Sequence, residues 1–167
     1  KGLTEDLQVS WLPSYGPEMR GGTANCNAII SDTPVGSPII TQPDVLVAMN
    51  PAALKANAKW AKPGASIILD EDSFDEKGLE KAGFKTNDPI EEMNLKDYHI
   101  VWAPITSLTK ESLKDSGLDN KSIIRCKNLF TLGMCYFMFN RHLHFTEEYL
   151  EKKFAKKPAL IAPNKKV

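Results

Sequence analysis

The sequence lacks the cysteine pattern of a metal cluster. Only three cysteines occur in 167 residues, widely spaced and without a C-x-x-C pair. Iron–sulfur clusters and structural zinc sites usually take four ligands, so the pattern argues against such a site held by this chain. An odd number of cysteines without a disulfide framework favours a reducing compartment, and we therefore expect a cytoplasmic protein.

An excess of charge of one sign and a long apolar run are also missing. Lys plus Arg number 21, as do Asp plus Glu. This balance argues against a nucleic-acid or polybasic membrane module, which needs a cationic face, but leaves a partner protein possible. The most apolar run, residues 129–139, is well short of the ~20 residues that a membrane span needs.

The motifs of nucleotide loops and of nucleophilic catalysis do not occur either. The sequence contains neither G-x-x-x-x-G-K-[ST] nor G-x-G-x-x-G, and no G-x-S-x-G. His99 lies within a predicted strand, where we expect a packed side chain, and His142 and His144 follow the longest predicted helix. No nucleophile–base pair is evident. We therefore predict no catalytic residue and no metal ligand in this chain.

The sequence does contain alternating strand and helix patterns. Asn50 and Pro51 are suited to cap and start a helix between two Val/Ile/Leu-rich runs, which predicts a βαβ unit with parallel strands. We expect a single α/β domain over residues 1–167: a Rossmann-like open, mostly parallel sheet with helices on both faces. Strands are predicted at 7–12, 24–31, 39–40, 44–50, 65–71 and 97–104, and helices at 51–61, 73–83, 107–118, 122–140 and 146–154.

Three expectations concern the C-terminal half of the chain. Thr109 and Thr146 are predicted to cap their helices. The 122–140 helix is apolar on all sides, so we expect it to be buried on more than one side, the second by another subunit. The basic tail, residues 155–167, is predicted to be a linker or docking segment.

The stretch SYGPEMRGGTANC, residues 14–26, is the strongest candidate for a binding site. Ligands of open α/β sheets bind beyond the carboxyl ends of the strands. Unobstructed glycine amides and the planar guanidinium of Arg20 suit a carboxylate or phosphate, and Glu18 would hold Arg20 or meet a partner's cation. A tight turn with solvated charges explains the stretch equally well. The predicted ligand- or subunit-contacting residues are Tyr15, Gly16, Glu18, Arg20, Gly21, Gly22, Thr23, Asn25 and Asn50.

Several segments taken together resemble one known family. They are WLPSYGPEMRGGTANC, DTPVGSPIITQPDVLVAMN and RCKNLFTLG. They are similar to the gamma subunit or gamma domain of 2-oxoacid:ferredoxin oxidoreductases, in the 2-oxoglutarate and ketoisovalerate branches. The family opens with a strand and a G-x-GGQG-type turn that this sequence lacks. We therefore expect the N-terminal strand and glycine loop of the family fold to be absent here.

The resemblance implies a role within a larger enzyme. The holoenzyme would oxidatively decarboxylate a 2-oxoacid, 2-oxoglutarate above all, on thiamine diphosphate. It would pass electrons through iron–sulfur clusters to ferredoxin and the acyl group to coenzyme A. Other subunits would hold thiamine diphosphate, Mg²⁺ and the clusters, and this chain none of them. It would dock on those subunits, help close the active site and assist coenzyme A.

Two other hypotheses remain open at this point. The chain is alternatively a stand-alone α/β module that binds a nucleotide or an acyl-CoA ester. A third interpretation is a purely structural scaffold, in which Arg20 and Glu18 serve assembly and not turnover.

Overall fold

The structure is a computed structural model that describes residues 7–15 and 24–167. The described residues divide into two compact units. The first contains residues up to 69 together with 73–101, and the second contains residues 70–72 together with 102–167. Each unit has its own hydrophobic core.

The first unit begins with an antiparallel hairpin. Strands β1 (Gln8–Tyr15) and β2 (Ala24–Ser31) pair along their whole length, with Gln8 opposite Ser31. They form a two-stranded sheet of their own. Both strands were predicted, and β1 extends three residues further than the pattern indicated.

A second sheet has the order β3-β4-β5. Its strands are β3 (Val45–Ala48), β4 (Ser66–Asp70) and β5 (His99–Ala103). The pairing of β3 and β4 is parallel, as the βαβ prediction required. The α/β fold class is confirmed.

The predicted edge strand at residues 39–40 is wrong. These residues lie outside every strand. The Ser37 hydroxyl accepts the Ile39 N–H at 3.2 Å, so a local turn uses the donor that a strand ladder would need. Pro38 has no N–H to donate, which weakens a ladder further.

Three helices follow β3 and β4 in the first unit, α1 (Pro51–Asn57), α2 (Glu76–Lys81) and α3 (Pro89–Glu92). A 3₁₀ turn, Ala58–Trp60, continues α1. The α3 helix was not predicted; it begins where the Asp88 carboxylate accepts two backbone N–H groups. The core of the unit is built from Ala48, Leu54, Ala58, Ile67, Leu69 and Leu95.

The second unit is mainly helical. Its helices are α4 (Ile105–Leu113), α5 (Asn120–Arg125), α6 (Lys127–Met138), α7 (His144–Lys153) and α8 (Ile161–Lys166). The predicted tail, 155–167, contains α8, in which Pro163 and Asn164 are buried. None of the helices in the described part of the chain is long and apolar enough to cross a membrane.

Both predicted threonine caps are wrong. Thr109 lies inside α4, fully buried, and its hydroxyl donates to the Ile105 carbonyl at 2.7 Å. Thr146 lies inside α7, and its hydroxyl is 2.9 Å from the Tyr136 hydroxyl. The partner of Thr109 lies one turn back in the same helix, whereas Tyr136, the partner of Thr146, lies in α6.

The predicted long helix is two helices. They meet at Cys126, whose N–H bonds the Ile123 carbonyl three residues back, which tightens the turn between α5 and α6. The apolar surface of α6 is not covered on all sides, since Phe137 is 89% exposed. His99 is exposed too, so the expectation of a packed histidine is wrong.

Candidate functional site

A groove of about 460 Å³ lies within the first unit, at the start of β2. The first turn of α1 and the end of α2 form its other sides. Its described lining residues are mostly small or carry amides; they are Ala24, Asn25, Asn50, Pro51, Ala52, Ala53, Asn57, Ser73, Gly78, Lys81 and Ala82.

The groove brings together two of the predicted site residues, Asn25 and Asn50. They are 25 positions apart in the chain, one on the hairpin and one after β3. Tyr15 ends β1, opposite Ala24 in the hairpin register. The remaining predicted residues, Gly16, Glu18, Arg20, Gly21, Gly22 and Thr23, lie outside the described residues.

Asn50 is held in place by the start of α1. Its Oδ1 accepts the Ala53 N–H at 2.8 Å, which confirms it as the helix N-cap. The cap uses the amide oxygen, so the Nδ2 protons are the donors that Asn50 can offer a ligand. One turn further, Asn57 Nδ2 donates to the Ala53 carbonyl at 2.8 Å and braces the same helix.

Gly78 permits the close packing that shapes one wall of the groove. A Cβ at this position would lie 2.5 Å from the Ser73 carbonyl oxygen and 2.9 Å from Asp75 Oδ1. Asp75 caps α2 by accepting the Gly78 N–H at 2.8 Å. Only a residue without a side chain fits this approach of backbone to cap.

Lys81 is the one charged residue among the described lining residues. An ammonium group beside amide donors suits an anionic ligand such as a phosphate or a carboxylate. Lys81 was not predicted as a site residue, because a lysine in the last turn of a helix is commonly explained by the helix dipole alone. Only the groove itself shows the lysine and the two asparagines together.

A second polar cluster lies at the carboxyl end of β4, within the second unit. Asp70 is fully buried, and its carboxylate accepts the Thr106 N–H at 3.1 Å and the Thr106 hydroxyl at 2.7 Å. Lys127 Nζ donates at 3.0 Å to Asp70 Oδ2, the same oxygen that accepts the Thr106 hydroxyl. Burial alone would raise the pKa of Asp70, but the hydrogen bonds from Thr106 and Lys127 outweigh it and hold the pKa below its usual value.

A neighbouring carboxylate extends this cluster. Asp72 Oδ2 accepts the Ser107 N–H at 2.7 Å, and the Ser107 hydroxyl donates to Asp72 Oδ1. The two carboxylates therefore bond the first N–H groups of α4, which lie more than 30 residues further along the chain. This arrangement orders the start of α4 and ties it to the end of β4, so we interpret the cluster as structural.

The resemblance implies metal cofactors in the complete enzyme, so the question is whether the described residues of this chain supply the ligand sets that such cofactors need. Among residues 7–15 and 24–167, no three His, Cys, Asp or Glu side chains come together to hold an ion. Cys26 is exposed on the hairpin, whereas burial raises the pKa of the Cys126 and Cys135 thiols. The described residues therefore do not fit an iron–sulfur cluster or a metal–diphosphate site.

The relatives of this chain among curated proteins are named as subunits of enzymes that act on 2-oxoacids. The chain is 41% identical over 123 residues to 2-oxoglutarate oxidoreductase subunit KorA of Mycobacterium tuberculosis; the match covers 74% of this chain and 19% of KorA. It is 34% identical to 2-oxoglutarate synthase subunit KorC of Methanothermobacter marburgensis, over 66% of this chain and 54% of KorC. The aligned part thus spans about a fifth of one relative and about half of the other.

Two solved structures have the same fold. One is the 2-oxoglutarate:ferredoxin oxidoreductase from Magnetococcus marinus with 2-oxoglutarate, coenzyme A and succinyl-CoA bound. It has a TM-score of 0.67 and 24% identity, over 95% of this chain and 24% of that chain. The other is a keto/oxoacid ferredoxin oxidoreductase gamma subunit from Geobacter sulfurreducens, with a TM-score of 0.55 and 20% identity, over 98% and 82%.

A family model describes almost the entire sequence. The model of the pyruvate ferredoxin/flavodoxin oxidoreductases matches residues 2–167. The match includes the hairpin, the groove and the C-terminal helices, so the similarity is not confined to one motif. On this evidence, the chain belongs to the pyruvate ferredoxin/flavodoxin oxidoreductase family.

Proposed function

We propose that this chain is a gamma-type subunit or domain of a 2-oxoacid:ferredoxin oxidoreductase. The observation that carries the proposal is the family match over residues 2–167, supported by relatives named as 2-oxoglutarate oxidoreductase and synthase subunits. The complete enzyme would convert a 2-oxoacid, with 2-oxoglutarate as the first candidate, to its acyl-CoA. In this proposal the chain is not catalytic alone.

The cofactors would be held by other subunits of the same cytoplasmic enzyme. Thiamine diphosphate, Mg²⁺ and the iron–sulfur clusters need ligand sets that the described residues do not bring together. Ferredoxin and coenzyme A would therefore meet this chain only within the complex. Its own contribution would be to assemble and close the active site.

The groove would assist coenzyme A by binding an anionic part of that molecule. Lys81 would attract a phosphate, and the Asn25 and Asn50 amides would add directional hydrogen bonds. Arg20, with the Gly21 and Gly22 amides, precedes Ala24 of the groove in sequence and would add a second cation. This role is ligand binding and positioning, with no proton transfer by the chain.

The test uses the oxidoreductase assembled from this chain and its partner subunits. Assembly and 2-oxoglutarate-dependent, CoA-dependent reduction of ferredoxin are measured. Lys81→Ala and Arg20→Ala should each raise KM for coenzyme A several-fold, with kcat and KM for 2-oxoglutarate little changed. Lys77→Ala, which removes an exposed lysine of α2 outside the groove, is the matched control. If this chain forms no complex with a thiamine-binding subunit, the proposal is refuted.

The stand-alone binding module remains the second candidate because the groove is formed by this chain's own residues. It requires the isolated chain to bind coenzyme A or a nucleotide. Calorimetry with the isolated chain separates the two cases: binding without any partner, lost in Lys81→Ala, would favour the module. If Lys81→Ala and Arg20→Ala leave the turnover of the assembled enzyme unchanged and weaken only its assembly, the scaffold interpretation is correct.

A further inference from the structure

The β1–β2 hairpin contains no charged residue in either strand. The sequences QVSWLPSY and ANCNAIIS hold no Asp, Glu, Lys, Arg or His. Edge strands in contact with water are usually protected by charges, because an uncharged apolar ribbon would aggregate. Pro13 of β1, which has no N–H to donate to a further strand, is the one protective residue in these two strands.

The apolar side of the hairpin is the exposed one. In the antiparallel register, Val9 is opposite Ile30 and Trp11 is opposite Ala28, so these four side chains lie on one face. Val9 is 41% exposed, Trp11 61% and Ile30 57%. We call these four residues, together with Cys26, the outer hairpin face.

The opposite face is more polar and only partly covered, since Gln8, Leu12, Ser14 and Asn25 on it are exposed. Asn27, Ile29 and Ser31 alternate with the exposed residues of β2 and are half-buried. Ser10 of β1 is half-buried on the same side. An antiparallel sheet with one solvated face normally has the polar residues on the solvated side. In this hairpin the apolar face is the more exposed of the two, so it is suited to contact with something other than water.

We propose that the outer hairpin face is a docking surface for another subunit of the oxidoreductase. This inference rests on the proposed function, and it identifies the surface through which the chain would contact its partner. A two-stranded ribbon alone is only marginally stable in water. Contact with a partner's apolar surface would remove Trp11, Val9 and Ile30 from water.

The size of the face favours a large partner over a second copy of this chain. Eight residues per strand and two strands give a face about 27 Å long and about 10 Å wide, or about 270 Å². A stable interface buries about 800 Å² on each partner. Two copies packed through this face alone would fall well short of that. A large subunit can cover both the hairpin and other surface of this chain, and can therefore bury the area that a stable interface needs.

The relatives of this chain are named as subunits, KorA and KorC, which makes a partner subunit the expected occupant of the face. The lack of charge on the hairpin predicts an apolar, long-lived contact in place of a transient electrostatic one.

The first experiment compares substitutions in the complete oxidoreductase. Trp11→Glu puts a charge on the outer hairpin face, and Ala28→Arg adds bulk and charge without removing a large side chain. Each should weaken co-purification with the other subunits at least tenfold while leaving the circular dichroism of the isolated chain unchanged. Trp60→Glu is the matched control, because Trp60 is 55% exposed but lies outside the hairpin; it should assemble like the wild type.

The second experiment uses the unaltered chain and the native thiols. Cys26 lies on the outer hairpin face and is exposed, whereas Cys126 is buried. Alkylation by N-ethylmaleimide, read by mass spectrometry, should modify Cys26 in the free chain and leave it protected in the complex. Cys126 should resist in both states until the protein is unfolded.

The outcomes separate this inference from the proposed function. If the complex forms but Cys26 stays reactive, or if Trp11→Glu and Ala28→Arg assemble normally, the docking surface is wrong and the proposed function stands. If the wild-type chain forms no complex, both fail. A free-chain dimer that Trp11→Glu dissociates would make a second copy the occupant and overturn the inference.

Discussion

Lys127 Nζ lies 3.0 Å from Asp70 Oδ2 and joins the first residue of α6 to the last residue of β4. Asp70 is fully buried, whereas the Lys127 side chain is 21% exposed. A buried carboxylate is stable only if hydrogen bonds and a cation compensate for the lost hydration. Thr106 supplies two of these bonds from the start of α4. The pair therefore helps to hold three elements together.

Removal of the lysine should destabilise the protein more than removal of an exposed lysine. Lys127→Met leaves the buried Asp70 carboxylate without its cation, and we expect the free energy of unfolding to fall by about 2 kcal/mol. Urea unfolding followed by circular dichroism measures the change. Lys114→Met, which breaks the exposed pair with Glu111, is the control and should cost about 0.5 kcal/mol or less. Equal effects would show that Asp70 does not need the lysine.

The same carboxylate should make stability depend on acid pH. The pKa of Asp70 is lower in the folded state than in the unfolded chain, so the unfolded chain binds the proton more readily. The stabilisation is complete above the usual Asp pKa of about 3.9 and is lost as the pH falls through the lowered folded value. Urea midpoints between pH 5 and pH 2 should fall more steeply for the wild type than for Asp70→Asn. Parallel curves would contradict the assignment.

Asp72 should contribute as a long-range cap of α4. Asp72→Ala removes the acceptor of the Ser107 N–H and hydroxyl, and we expect a loss of about 1 kcal/mol. Asp115→Ala is the control, because this acid follows the end of α4, where a negative charge is unfavourable to the helix dipole. It should be neutral or slightly stabilising in the same urea titration. A larger loss in the control would contradict the capping role.

Local patterns predicted the elements well where the determining residues are neighbours in sequence. Asn50 caps α1 as expected, since the acceptor and its N–H donor are three residues apart. Thr109 was misjudged because the real partners of the α4 start, Asp70 and Asp72, are more than 30 residues away. In the site, Asn25 and Asn50 were proposed for chemical reasons, but Lys81 joins them only through the fold. The functional hypothesis came from the family resemblance, because the hydrophobic periodicity predicts helices and strands but not an activity.

Gly78 should tolerate no side chain. A Cβ there would clash with the Ser73 carbonyl oxygen at 2.5 Å, so Gly78→Ala must shift the start of α2 and cost about 1–3 kcal/mol. Gly36→Ala is the matched control, because a Cβ at Gly36 meets nothing within 4 Å. It should be neutral or stabilise by up to about 1 kcal/mol. Thermal unfolding of the two variants measures the difference, and equal midpoints would refute the close packing.

Asn50 combines two roles that one pair of substitutions can separate. Asn50→Ala removes the acceptor for the Ala53 N–H and should cost about 1 kcal/mol of stability. Asn50→Asp keeps the acceptor and the cap, so its stability should stay close to that of the wild type. It also places a negative charge in the groove, which should raise KM for coenzyme A in the assembled enzyme by repelling the phosphates.

Turnover at varied coenzyme A and urea unfolding of the two Asn50 variants decide between the roles. Loss of stability in Asn50→Ala with an unchanged KM for coenzyme A in Asn50→Asp would mean that Asn50 only caps α1 and that the groove does not bind the coenzyme. A raised KM that falls back towards the wild-type value at high salt would show electrostatic repulsion at the groove, since mobile ions screen exposed charges beyond about 10 Å at 0.1 M. A raised KM that salt does not change would instead indicate a distorted site.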